Sequence, residues 1–462
     1  MRKIGRAPAR RKKVAPKRKD DLTAKIRSGE FKIAVYGLGH VGSPIASAWL
    51  RAGAHVIGVD KSPQVLDNAR KGKTHVPEPG VSEAYQKGLR EKRFALYDDP
   101  VAASRDSSFK MICVPVLIDD AFSADLGAVK DVASAIGKGL KAGDAVSLNP
   151  SVPPGTTEDV VVPILEKESG LKAEKDFFMI YNPERIYEGR AIQDIEEGYP
   201  AVIAGAGPRS LEMGAKLYPI IFGRGVFRMQ SIRAAETEKL FEGVYRDVNI
   251  ALANEMAKLC EKVGVNFWEV REAANSQPFC HIHKPGAGVG GACIPVYPQF
   301  VLHAANAKKV ECNITKLGRT VNDSMPEYCV EQALELVDGS QTGEPVVSLL
   351  GLAFRGGVSD TRLSPTYGVV RELRKRGIRD IRVHDPLVRT DPSLPDGVKL
   401  TPNMEDATRG ADLVILVADH PEYRNLRADM LAGAAVYDGR GVLDPSRFAQ
   451  AMFASIGRPK PS

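Results

Sequence analysis

The chain has 462 residues, enough for about three domain-sized units. Hydrophobic residues make up 43% and charged residues 26%, which excludes wholesale disorder and a collagen-like architecture. The formal charge of +7 belongs to one end: residues 1–19 hold ten Lys and Arg and no acid, so the remainder carries −3.

No apolar run approaches the ~18–20 residues that span a bilayer, and the N-terminus has no apolar core behind its basic residues, so it does not read as a secretory signal. The tail, RRKKVAPKRK, has almost nothing to bury and reads as a disordered basic segment over residues 1–29. It is either a solvated extension or a misassigned start codon, or else a loose contact for nucleic acid or an anionic membrane surface, with no specific nucleic-acid partner implied. The six cysteines (113, 260, 280, 293, 312 and 329) form no CxxC pair, which argues against a disulfide scaffold and a zinc knuckle, with no metal site expected. A reducing cytoplasm suits them.

Folded sequence is expected from Glu30. Phe31–Tyr36 reads as a buried strand, followed by GLGHVG and the helical pattern SPIASAWLRAG. A second strand, His55–Val59, ends at Asp60. Further strands are expected at Phe109–Val114, Ala145–Leu148, Phe177–Ile180 and Ala201–Ala204, separated by helical patterns. That alternation predicts a parallel sheet covered on both faces, a first domain over residues 30–230. Residues 234–264 have apolar spacing of three and four, no proline and one internal glycine, predicting a long helix that serves as spine and dimer surface. Shorter helices continue to about residue 335, giving a helical central domain over 231–337. After the turn-rich DGSQTGEP (338–345), VVSLLGLAF opens a second α/β block over 338–462, with strands at Ile381–His384, Leu413–Val417 and Ala435–Tyr437. The fold class is thus α/β: two Rossmann-like parallel-sheet domains joined by a helical connector with a long central helix.

Gly37, Gly39 and Gly42 fit GxGxxG between a strand and a helix, and Asp60 closes the next strand. Gly37 permits the tight turn, Gly39 admits the pyrophosphate, and Gly42 lets helix and sheet approach. Asp60 would accept from ribose hydroxyls and repel a 2′-phosphate, favouring NAD over NADP; Lys61 softens the preference. Gly286, Gly288, Gly290 and Gly291 crowd the loop before Cys293. A thiol beside such a loop is either an activated nucleophile or a buried structural cysteine. Lys239, Gly243 and Arg246 share a face of the long helix, either as a solvated surface or as ligands for an oxyanion and a phosphate.

In combination, YGLGHVG, CVPV, SVPPGTTE, NPERIYEG, KLFEGVYRDVNIALANE, GAGVGGACIP, GLAFR with DTRLSP, and DGRG resemble the UDP-glucose/GDP-mannose dehydrogenase family, over nearly the whole chain from residue 31. NPERI and YRDVNIALANE point to its N-acetylhexosamine branch, acting on UDP-ManNAc or UDP-GlcNAc, over the UDP-glucose enzymes. The resemblance implies an NAD-binding domain, a helical connector and a UDP-binding domain, a homodimer or higher homo-oligomer, and a product destined for cell-surface glycans. It implies a four-electron oxidation of a sugar C6 alcohol through a cysteine thiohemiacetal and thioester. Carried over by position, Cys293 is the nucleophile, Lys239 steadies the oxyanion, and Glu184 is the acid/base that holds a water. Ser151 and Val116 match threonines of the cofactor pocket, with Leu38 in the phosphate loop and His40 and Val41 over the pyrophosphate. Arg185, Ile186, Arg246, Gly290, Phe354, Arg355, Arg362 and Arg440 match positions that hold the nucleotide-sugar.

Four departures stand out. The family has Asn where this chain has Gly243, and Asp where it has Tyr297. The substrate-binding HPR segment is replaced around Gln277 and Phe279, and a His that often precedes the cysteine is Ala292. These predict either a pocket rebuilt for another sugar, with Tyr297 or His281 and His283 supplying the missing function, or a catalytically impaired nucleotide-sugar-binding paralogue. A UDP-glucose 6-dehydrogenase is the alternative within the family, and a two-electron hydroxyacid dehydrogenase on the same fold is the alternative from outside the family's chemistry.

Overall fold

The computed structural model describes residues 22–76, 78–118, 123–337, 344–431 and 433–460. Two sheets carry the fold. The first is built from β1 (Ile33–Tyr36), β2 (Val56–Val59), β3 (Phe94–Tyr97), β4 (Phe109–Ile112), β7 (Ala145–Leu148), β8 (Phe178–Tyr181), β9 (Ala201–Gly205) and β10 (Val226–Arg228); a two-stranded hairpin, β5 (Leu117–Ile118) and β6 (Ala124–Asp125), stands apart. Its order is β10-β9-β8-β7-β4-β1-β2-β3. The second comprises β11 (Val347–Leu350), β12 (Ile381–His384), β13 (Lys399–Thr401), β14 (Leu413–Leu416), β15 (Ala435–Asp438) and β16 (Phe453–Ser455), in the order β13-β12-β11-β14-β15-β16. In each sheet the first strand sits centrally and the chain reverses direction beside it, which opens a crevice at the carboxyl ends of the strands.

The strands are short and apolar on both faces because helices cover both sides. Ile33 and Val35 pack into one core, and Ala34 and Tyr36 into the other. Leu349 and Leu350 divide in the same way in the second sheet. This is the two-residue period of a strand buried on both faces. One register departs from the parallel expectation: β8 and β9 pair antiparallel, Ile180 opposite Gly205, so the first sheet is mixed.

The spine helix runs Ile232–Val263, its start capped by Ser231 Oγ accepting from Ala234 N at 3.1 Å and its end by Gly264 at φ +77°. Glu236 fastens it to the first sheet region, accepting from Gly155 N at 2.5 Å, Thr157 N at 2.8 Å and Thr157 Oγ1 at 2.7 Å. Shorter helices follow at Phe267–Asn275, Tyr297–Ala307, Asn313–Asp323 and Met325–Leu334. Among the described residues, no helix is long and apolar enough to cross a membrane.

Residues 1–21 of the basic tail and most of the 338–345 linker lie outside the described residues. The expected start at Glu30 is corrected: Leu22–Ser28 is helical, with Ile26 fully buried in the first core. Only one side chain of that segment is buried, too little to produce an apolar pattern beside so many charges.

Candidate functional site

Two glycines of the phosphate loop are sterically required. Gly37 has φ +92°, and a Cβ there would lie 3.1 Å from Cys113 O. A Cβ at Gly42 would overlap the Gly37 carbonyl oxygen. Gly39 is open instead: among the described residues nothing lies within 4 Å of its Cβ position. The helix Gly42–Arg51 starts here, and Val41 at its N-cap makes no side-chain cap. Asp60 Oδ2 accepts from Leu38 N at 2.8 Å, and Oδ1 accepts from Ser62 N at 2.9 Å, so the acid holds the loop in register. An open cradle, a helix N-terminus and an acid beside them fit a dinucleotide. His40 Nδ1 lies 3.3 Å from Glu188 Oε1 at the rim.

A second group gathers around Tyr297, the first residue of its helix. Its backbone N–H donates to Cys293 O at 3.0 Å. Its hydroxyl receives a hydrogen bond from Ser151 Oγ at 2.8 Å, and the Cys293 side chain is near enough to influence it. Lys239 Nζ lies 5.8 Å from the ring centroid, within cation–π range, and the ammonium is buried with Glu242 Oε2 3.8 Å away. Leu240, Val296 and Phe300 enclose the ring, with Val116 packed against them. Burial pushes the Tyr297 phenol well above its ordinary range, and the Cys293 sulfur acts in the same direction. Burial also pushes the Glu184 carboxyl up to about 7, opposed by the Lys239 ammonium and by the N–H groups of Ile186 and Arg185. Cys293 itself is exposed.

Gly243 lies one turn beyond Lys239. Glycine inside a helix costs about 1 kcal/mol relative to alanine, so it needs a reason. A Cβ at 243 would lie 2.9 Å from Tyr297 Cβ and 3.0 Å from its Cγ. The ring occupies the space of the missing side chain.

The glycine loop joins this group to the second sheet region. Gly286 N donates to Asn254 Oδ1 at 2.9 Å, and Gly291 N donates to Arg362 O at 2.8 Å. Cβ atoms at Gly290 and Gly291 would run into Phe354, at 2.8 and 3.1 Å. The Arg362 guanidinium is held by Asp360 at 2.6 Å, which raises its pKa. Arg440 donates to Phe354 O at 3.0 Å and to Val417 O at 2.5 Å, and burial pulls its pKa down. Arg355 reaches the other way, 4.2 Å over the Tyr187 ring, and donates to Glu188 O at 3.0 Å.

Three of the residues expected to hold substrate have partners within the chain. Arg185 is held by Glu242 at 3.1 Å, by Pro200 O at 2.9 Å and by the Tyr199 ring at 4.8 Å. Ile186 N donates to Glu184 Oε1, and Arg246 Nε donates to Glu242 O at 3.3 Å. His281 and His283 pack on one another at 5.3 Å and His283 on Tyr245 at 6.1 Å, while Phe279 is 96% exposed. Among the described residues, no group of three or more His, Cys, Asp or Glu is placed to hold a metal. Glu236 and Asn254, which hold the Gly155–Thr157 segment and the glycine loop, escaped sequence reasoning because both are polar residues within a helix. Their only signal is a polar side chain on the buried face.

Comparison with known proteins agrees with this layout. The chain matches the UDP-glucose/GDP-mannose dehydrogenase family in its NAD binding domain over residues 31–222, its central domain over 233–324 and its UDP binding domain over 348–445. It is 32% identical to an NDP-N-acetyl-D-galactosaminuronic acid dehydrogenase of Ralstonia solanacearum, covering 90% of this chain and 97% of that protein. The solved UDP-D-ManNAc dehydrogenase of Pyrococcus horikoshii superposes with a TM-score of 0.85 at 30% identity, covering 93% of this chain and 99% of that one. A UDP-glucose dehydrogenase structure from Pyrobaculum islandicum gives 0.84 at 29% identity, covering 93% and 98%. The chain belongs to the UDP-glucose/GDP-mannose dehydrogenase family and is an NAD-dependent oxidoreductase of that family.

Proposed function

We propose that the chain is a nucleotide-sugar 6-dehydrogenase that oxidises the C6 alcohol of a UDP-N-acetylhexosamine to the carboxylate. The observation that carries this reading is the convergence of Ser151, Lys239 and Cys293 on the Tyr297 side chain, with the Glu184 carboxyl close enough to feel both Lys239 and Tyr297. The N-acetylhexosamine branch is favoured by the relatives, whose names include N-acetyl-D-galactosaminuronic acid and N-acetyl-D-mannosamine dehydrogenases.

Gly37, Leu38, Gly39, His40, Val41, Gly42 and Asp60 would hold the dinucleotide, with Val116 and Ser151 toward its far end. NAD supplies a hydride acceptor when bound. Lys239 steadies the negative oxygen at C6. Cys293 Sγ bonds to the aldehyde carbon, so the half-oxidised sugar is retained as a thiohemiacetal. Loss of its hydride leaves a thioester, and water releases the acid and restores the thiol. Glu184, poised near neutrality, exchanges a proton with that water. Arg355, Arg362 and Arg440, with Gly290 and Phe354, form the anchoring end for the diphosphate and nucleoside. Arg185, Ile186 and Arg246 complete that set only if their present partners release them.

A homodimer through the spine helix belongs to the same reading. Phe241, Tyr245, Leu252, Met256, Leu259 and Val263 are all large, apolar and exposed on that helix. Incubation with NAD and a panel of UDP-sugars, followed by NADH absorbance, tests the activity. NADH formed with UDP-N-acetylhexosamines supports it. No NADH with any sugar, together with thermal protection by UDP, favours the second reading, an impaired binding paralogue, which the replacements at Gly243 and Tyr297 suggest.

A further inference from the structure

We propose that Tyr297 is the positioning residue for the Cys293 thiolate: its hydroxyl, receiving a hydrogen bond from Ser151, donates its own proton to the sulfur, and Gly243 is the residue that makes room for the ring. This rests on the reading of Cys293 as the nucleophile. A tyrosine hydroxyl has one proton and can accept from elsewhere. Ser151 Oγ donates to it at 2.8 Å, which leaves that proton for the sulfur beside it. The ring has little freedom, being 5% exposed and enclosed by Leu240, Val296 and Phe300. Burial keeps the phenol protonated, so the group is a donor across the working range and not a base.

The chemistry differs from what a carboxylate would do at this position. An ionised carboxylate only accepts hydrogen bonds and would place a second negative charge beside a thiolate. A phenol offers a charge-assisted hydrogen bond to the sulfur and adds no charge. It also presents a π face to the Lys239 ammonium, 5.8 Å from the ring centroid. The two departures at 243 and 297 are therefore one change in two places. The ring needs the volume, because a Cβ on residue 243 would lie 2.9 Å from Tyr297 Cβ.

The test is alkylation of Cys293 in the full-length protein by iodoacetamide, followed by mass spectrometry of its peptide as a function of pH. No sugar or NAD is present, so the result is independent of dehydrogenase activity. In Tyr297→Phe the ring remains and only the hydroxyl is lost. Its alkylation midpoint should rise by about one pH unit, the size expected for one hydrogen bond to a charged group. Ser151→Ala should move it in the same direction by less, and Gly243→Ala should reproduce the Tyr297→Phe shift although the phenol is still present. A midpoint unchanged in Tyr297→Phe, or in Ser151→Ala if the first variant does not fold, overturns the proposal. An unchanged midpoint in Gly243→Ala overturns the coupling between the two positions. If the shifts appear while the unaltered protein forms no NADH, it is the dehydrogenase reading that has failed.

Discussion

Gly243 and Tyr297 are in direct steric contact across two helices, the tyrosine Cβ lying 2.9 Å from where a side chain on residue 243 would begin. The contact links positions that look like separate losses in the sequence. It also seats the aromatic ring between the Ser151 hydroxyl, 2.8 Å from its own, and the Lys239 ammonium, 5.8 Å from its centroid.

The pair should behave as a unit under substitution. Gly243→Asn and Tyr297→Asp should each lower kcat by about tenfold or more, and the double variant should recover most of the loss, since residues in contact are non-additive. Gly243→Ala should lower stability by about 1 kcal/mol, overpacking outweighing the gain in helix propensity. Steady-state kinetics and denaturant melts read these values, and strictly additive losses would refute the coupling.

Glu184 should impose a pH dependence. Its carboxyl titrates near 7 in the folded chain against an ordinary 4.5. The folded state therefore keeps a proton that the unfolded state has already released between those values. Its stabilising effect is complete below 4.5 and is lost as pH rises through about 7. As the base toward water, Glu184 should make kcat rise through the same region. Glu184→Gln should abolish that limb in the kcat profile and flatten the stability slope across the window, measured by denaturant melts at its two ends.

Lys239, proposed to steady the oxyanion, also draws the Glu184 carboxyl down. Lys239→Met should reduce kcat by roughly 10²–10³, the scale of a lost oxyanion donor. Because the ammonium draws the Glu184 carboxyl down, any residual activity should show its pH limb displaced upward from about 7. A full pH–rate profile of the variant checks both effects, and an unmoved limb would break the link between the two residues.

Asp60 holds Leu38 N at 2.8 Å, beside the glycine loop proposed to bind the dinucleotide. Asp60→Ala should weaken NAD binding by about tenfold, as expected for a lost hydrogen-bonding carboxylate, while NADP binding weakens less or improves. Fluorescence titration with both dinucleotides measures the ratio, and an unchanged ratio would remove Asp60 from cofactor selection.

The phosphate loop could be read from sequence because its requirements are local: Gly37, Gly42 and Asp60 lie within one strand–helix–strand unit, and each serves a steric or hydrogen-bonding need set by near neighbours. The central strands and the spine helix were equally accessible, since each has a continuous apolar pattern. The edge strands Phe94–Tyr97 and Lys399–Thr401 were not, because they are only partly buried and short. The antiparallel pairing of β8 with β9 leaves no mark in an apolar run. The Gly243–Tyr297 contact joins two distant segments, so the sequence displayed two departures from a family pattern while their complementarity appeared only in three dimensions.

Cys293 is proposed to carry the sugar between two oxidations. The most direct measurement is NADH formed per molecule of UDP-N-acetylhexosamine consumed, in the unaltered chain and in Cys293→Ser. Two NADH per sugar, with uronate formation lost in the serine variant, is the predicted result. One NADH per sugar, or a serine variant that still completes both oxidations at the original rate, would contradict it.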